Sequence, residues 1–134
     1  MKEYKFEEEE TWKLARELAW DVYGVTSRGA FEDDHRMRNS VRAASFAIMA
    51  NVAEGVEKSG SLDFVHYLTR AKDAIDELHQ QLTRVQAKGF INSATLNRLE
   101  MTLKSLGCMI SGLMTSINHD YINADSMSVS YQQA

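Results

Sequence analysis

An all-α fold, an antiparallel up-down-up-down four-helix bundle, is the class this sequence predicts, and three observations predict it. No proline occurs in 134 residues, so the commonest helix breaker is absent. Apolar residues recur at spacings of three and four in four separate stretches, the period of a helix with one buried face. The interruptions between those stretches are short and carry Gly, Ser, Asn or Asp. Short connections bring consecutive helices side by side in opposite directions. A chain of this length supports one core rather than two. The division expected is therefore a bundle over residues 1–119 and a flexible tail over 120–134.

The first helix is expected over about 8–27. Glu7 to Glu10 place negative charge at its positive end. Trp12, Ala15, Leu18, Ala19, Val22 and Val25 make its apolar stripe, and Gly29 is a plausible stop.

The second helix is expected over 34–57, capped by Asp33 or Asp34. It carries one stripe through Met37, Val41, Ala44, Ile48 and Val52. A second stripe of Ala43, Phe46, Ala47, Ala50 and Ala53 lies around the cylinder. A helix that is apolar on two sides has more to bury than one bundle covers.

Lys58-Ser59-Gly60 leads to Ser61, the expected cap of a third helix over 61–88. Its stripe of Phe64, Leu68, Ala71, Ile75, Leu78, Leu82 and Val85 ends at Lys88-Gly89, a basic last turn followed by a glycine able to turn left-handed. The fourth helix is expected over 93–118. Leu96, Leu99, Leu103, Leu106, Ile110, Leu113 and Ile117 alternate threes and fours as coiled-coil seams do. Ser105, Cys108 and Gly112 lie beside that seam and would let another helix approach closely.

Composition narrows the function. Apolar residues at 44% and charged residues at 25% are those of a folded globular chain. No run approaches the roughly 20 apolar residues of a membrane span, and the opening MKEYKFEEEE is unlike a signal peptide. A cytoplasmic protein without membrane contact is expected. The single cysteine, Cys108, has no His, Lys or Arg within three residues to lower its pKa, so it reads as a packing residue rather than a nucleophile. The net charge of −4 is uneven. Residues 1–34 hold ten acids and five bases, residues 35–119 seven acids and ten bases. Bulk electrostatics therefore do not mark a nucleic-acid coat, although the middle of the chain is basic.

The order Arg42-Ala43-Ala44, Asn51-Val52-Ala53-Glu54-Gly55, then Phe64, Leu68, Ala71, Glu77-Leu78 and Gln81-Leu82 resembles the four-helix-bundle family named for 23S rRNA intervening sequences. Trp12-Lys13 to Leu18-Ala19 and Lys88-Gly89-Phe90-Ile91 extend the likeness to about residues 10–117. The resemblance implies a bacterial, cytoplasmic, non-enzymatic bundle that assembles into a homopentameric ring. It also implies kinship with accessory proteins that serve the reverse transcriptases of diversity-generating retroelements, in contact with protein and RNA. Met49 stands where family members often carry proline, which makes the second helix straighter. Val56-Glu57-Lys58 follows the glycine where members are often more basic.

Candidate residues follow. Arg42, Asn51, Glu54 and Gly55 form the motif. Asn51 and Glu54, three apart on one face, are expected as a buried hydrogen-bonded pair, and Gly55 as a point of close approach. Trp12, Trp20, Phe46, Met49, Cys108 and Gly112 are the expected subunit contacts, because aromatic and Met side chains dominate interface energetics. Arg36, Arg38, Arg42, Arg70, Lys72, Arg84 and Lys88 would contact nucleic acid if they converged. Bundle cores can hold two metals through Glu-x-x-His pairs. Here Leu78 takes the core position in Asp76-Glu77-Leu78-His79, and Glu32-Asp33-Asp34-His35 falls at a helix start. Neither a metal nor another cofactor is expected. The leading reading is an oligomeric scaffold or adaptor, with an RNA- or DNA-binding accessory subunit as the alternative.

Overall fold

The structure, a computed structural model, describes the backbone of residues 4–133 and the side chains within that span except those of 121 and 124–133. Four helices make up the described chain: α1 (Lys5–Val25), α2 (His35–Glu57), α3 (Leu62–Ala87) and α4 (Ser93–Gln133), with a 3-10 turn over Gly29–Glu32. Each helix packs on its two neighbours, α1 on α2 and α4, and α3 on α2 and α4.

The contacts between neighbours run in opposite order along the chain. Between α1 and α2, the Ser59 hydroxyl that follows α2 donates to Glu8 at 2.5 Å, while Arg42 near the start of α2 donates to Thr26 at the end of α1 at 2.8 Å. Between α1 and α4, Tyr4 reaches the Ser116 carbonyl and Asp21 pairs with Arg98. Between α3 and α4, Gln86 meets Ser93 and His79 meets Glu100.

The core is the sum of the four stripes. Ala15, Leu18, Val22, Val41, Ile48, Val52, Phe64, Leu68, Leu78, Leu82, Val85, Leu99, Leu103, Leu106, Ile110 and Ile117 are all buried. Three core residues, Tyr4, Phe31 and Ile91, come from outside the four helices. Phe31, in the 3-10 turn, is completely buried and sets its ring edge-on to Phe90 at 5.1 Å between centroids, closing that end of the bundle.

Helix ends follow local chemistry. The Asp34 carboxylate accepts from the Met37 N–H at 3.0 Å, and Asn92 accepts from the Thr95 N–H at 2.8 Å, each satisfying a free donor of a first turn. Gly89 adopts φ +82° after Lys88, and the Phe90 N–H returns to the Val85 carbonyl at 2.8 Å, so α3 stops where the basic turn and glycine predict.

Two expectations are corrected. Ser61 does not cap α3 with its side chain, because its hydroxyl donates to the Lys58 carbonyl at 2.7 Å and closes the preceding loop. And α4 does not end near 118 but continues to Gln133, through the segment expected as tail. No glycine or proline occurs after Gly112, so nothing in the sequence interrupts the backbone ladder there. Residue 134 and the side chains expected beyond 123 lie outside the described residues.

Candidate surface for assembly

The bundle presents two apolar grooves on either side of α1. The first lies between α1 and α2 and is lined by Trp12, Arg16, Ala19, Trp20, Tyr23, Arg42, Ser45, Phe46 and Met49, with a volume of about 610 Å³. It gathers four of the six residues expected at subunit contacts, Trp12, Trp20, Phe46 and Met49, from two helices. Trp20 and Phe46 stand out from it with 70% and 60% of their surface exposed. Trp12 is half-buried, its inner side packed on the core. Ala43 joins Phe46 in solvent, and Ala47, Ala50 and Ala53 are partly exposed. The second stripe of α2 thus lies on the outside of the single chain.

Cations in this groove are held rather than loose. The Arg16 guanidinium lies 4.8 Å above the Trp12 ring and that of Arg42 4.0 Å above the Tyr23 ring. Arg42 also donates to Thr26 Oγ1 at 2.8 Å and Ser27 Oγ at 2.9 Å. Its charge sits over the C-terminal turn of α1, where the helix carbonyls favour a cation. Arg42 therefore ties α2 to the end of α1, a role its place in the sequence motif did not disclose.

The second groove lies between α1 and α4. Tyr4, Phe6, Glu7, Glu10, Thr11, Cys108, Met109, Gly112, Leu113 and Ser116 enclose about 630 Å³. The remaining two contact candidates, Cys108 and Gly112, are both exposed here. The chain's start closes one end of it, because the buried Tyr4 donates its hydroxyl to the Asp120 carboxylate. That carboxylate pushes the Tyr4 pKa up to about 12.

The motif residues separate into different roles. Gly55 is buried against α3. A Cβ placed on it would lie 3.1 Å from Cδ2 and 3.2 Å from Cε2 of Phe64, so the glycine sets the spacing between the two helices. The expected Asn51–Glu54 pair is absent. Glu54 is exposed, and the half-buried Asn51 donates along its own helix to the Ala47 carbonyl at 2.8 Å. Three positions apart, the two side chains are offset round the helix, and Glu54 lies far enough round to reach water.

A buried acid appears instead at Glu8, one of the N-terminal glutamates, held by the Ser59 hydroxyl. The four-glutamate run offered no hint of which member turns inward. The helical period does, since Glu8 falls in register with Thr11, Ala15 and Leu18, all buried.

The seven basic candidates do not converge. The antiparallel order puts Arg36 and Arg38, at the start of α2, at the same end of the bundle as Arg84 and Lys88, at the end of α3. Arg70 and Lys72 lie in the first half of α3, towards the opposite end, with Arg70 over the Tyr67 ring. Arg42 is occupied as described. His79 and Asp76 are exposed, and His79 Nδ1 lies 2.6 Å from Glu100 across the α3–α4 groove. Among the described residues no three His, Cys, Asp or Glu side chains are grouped to share a metal ion. No described helix is long and apolar enough to cross a membrane.

The family model described as 23S rRNA-intervening sequence protein matches residues 7–112, which takes in nearly all of α1, the whole of α2 and α3, the first half of α4 and every residue that lines the α1–α2 groove. No curated protein matches the chain.

Proposed function

We propose, on the premise that the chain belongs to the 23S rRNA-intervening sequence protein family, that it is a non-enzymatic assembly module, a helical scaffold or adaptor that self-associates into a closed ring. The observation that carries the reading is the α1–α2 groove. Trp20, Tyr23 and Phe46 all expose more than half of their surface within one patch that Trp12 and Met49 floor. Water-exposed aromatic side chains gathered from two helices are the composition of a contact surface, where Trp, Tyr and Met are enriched. A ring of five copies, in the cytoplasm, is what the family resemblance adds.

Static light scattering on purified protein tests this directly. An oligomer whose mass falls on dilution is expected, and a monomer at micromolar concentration refutes the reading.

The alternative, an RNA- or DNA-binding accessory subunit such as a reverse transcriptase partner, keeps Arg36, Arg38, Arg84 and Lys88 at one end of the bundle and loses Arg42 to the end of α1. Filter binding across a salt series separates the two, because phosphate contacts weaken steeply with salt.

A further inference from the structure

We propose that the aromatic groove between α1 and α2 docks into the groove between α1 and α4 of a second copy, so that the ring is built from one head-to-tail contact. The proposal rests on the self-association above and names the two surfaces that carry it.

The two grooves are similar in volume and differ at their rims, where one carries Trp20 and Phe46 and the other Gly112 and Cys108. Trp20 and Phe46 project from the first, exposed by 70% and 60%. The second, of about 630 Å³, is lined by Tyr4, Met109 and Leu113, with Phe6 standing out at one edge, 71% exposed, and Gly112 and Cys108 leaving room at the rim. Large apolar groups from one copy fill the recess of the next, as anchors at interfaces fill pockets.

The grooves are opposites in charge. Arg16 and Arg42 border the aromatic surface, and Glu7 and Glu10 border the recess. Were the aromatic groove to dock on its own twin, Arg16 and Arg42 would meet no acidic side chain, since none lines that groove, and two pairs of like charges would be brought together. Head-to-tail docking sets them against Glu7 and Glu10. These side chains are partly ordered beforehand, Arg16 on Trp12, Arg42 on Tyr23 and Thr26, and Glu10 beside Lys13 at 3.6 Å. Less rotamer freedom is then lost on association.

Topology agrees with both. The grooves share α1 and open on adjoining sides of the bundle, so each head-to-tail contact turns the direction of assembly. Contacts that turn in this way close into rings where the rotation permits.

Crosslinking reads the pairing. Cys108 is the chain's one cysteine and lies in the recess. Ala50 lies one turn along α2 from Phe46, on the same side, and Ala50→Cys leaves every proposed anchor in place. A short bis-maleimide applied to Ala50→Cys protein is expected to give a ladder of covalent oligomers, lost in Ala50→Cys/Cys108→Ala and absent from the wild type. Light scattering is run on the same samples. A protein that is oligomeric but gives no crosslink, or gives a dimer that survives Cys108→Ala, overturns the head-to-tail pairing and leaves self-association standing. A protein that is monomeric overturns both.

Discussion

Arg42 offers a test of whether a motif residue serves the bundle itself or an external phosphate. Arg42→Met keeps the aliphatic stem and removes the guanidinium. The side chain is half-buried, so its charged hydrogen bonds to Thr26 and Ser27 are discounted to about 1.5 kcal/mol together, the low end for bonds from a charged donor. Its position over Tyr23 adds about 0.5 kcal/mol at a site this open to water. Some 2 kcal/mol in total lowers the melting temperature by roughly 6–10 °C for a domain of this size. Far-UV circular dichroism on heating measures it, at several protein concentrations, because assembly also raises apparent stability. Loss of the tie between α1 and α2 lowers the melt at every concentration, down to the most dilute, and loss of the proposed contact with a second copy adds a part that grows with concentration. Arg42→Lys recovers only part of the loss, since an ammonium cannot fork between two hydroxyls while lying flat on a ring. If Arg42→Met melts with the wild type, the tie has no energetic content and the reasoning fails.

Other consequences are read more quickly. Gly55→Val forces a branched side chain against the buried Phe64 ring and is expected to destabilise by about 2 kcal/mol in urea unfolding. Gly55→Ala comes out near neutral, since its gain in helix propensity of about 1 kcal/mol offsets a smaller clash. An equal, small effect of both would mean that Gly55 does not set the spacing. Phe31→Ala is expected to lose about 3–5 kcal/mol, as a fully buried aromatic should, although it lies in a connecting turn, and calorimetry checks it. Tyr4 bears on pH. Its pKa is raised from 10.0 to about 12 in the folded chain, so its contact with Asp120 contributes fully below pH 10.0 and is lost as pH rises towards 12. Spectrophotometric titration should show the last-ionising tyrosine disappear in Tyr4→Phe. A titration unchanged by that substitution refutes the contact. Finally, Trp20→Ser/Phe46→Ser should weaken self-association by at least about 30-fold, the worth of one hot spot of about 2 kcal/mol. An unchanged mass by light scattering would remove this face from the assembly.

Periodicity carried most of the fold. Spacings of three and four, read against the 3.6-residue turn, placed all four helices and nearly every core position, from Ala15 to Ile117, because burial in a bundle repeats along one face. Capping chemistry placed the start of α2 at Asp33 or Asp34, of which the structure uses Asp34, and the stop of α3 at Gly89, because free backbone groups need local partners. Phe31 was not legible, since a turn of four residues has no period to reveal which side chain turns inward. The end of α4 was not legible either, because loss of an apolar stripe says that nothing packs there and does not say that the backbone ladder stops.

The surfaces divide in the same way. The chain by itself determined that Trp12, Trp20, Phe46 and Met49 are apolar in excess of what one core consumes, and that the NVAEG segment contains a glycine where helices could meet. Only the tertiary structure decided which helices meet. It set Trp20 beside Phe46, placed Arg16 and Arg42 on one groove and Glu7 and Glu10 on another, took Arg42 out of the basic set and turned Glu8 rather than Glu54 inward. Helical register is a property of neighbours in sequence, and it is written there. The company a face keeps depends on residues brought from 15 to more than 100 positions away, and chain folding alone brings them together.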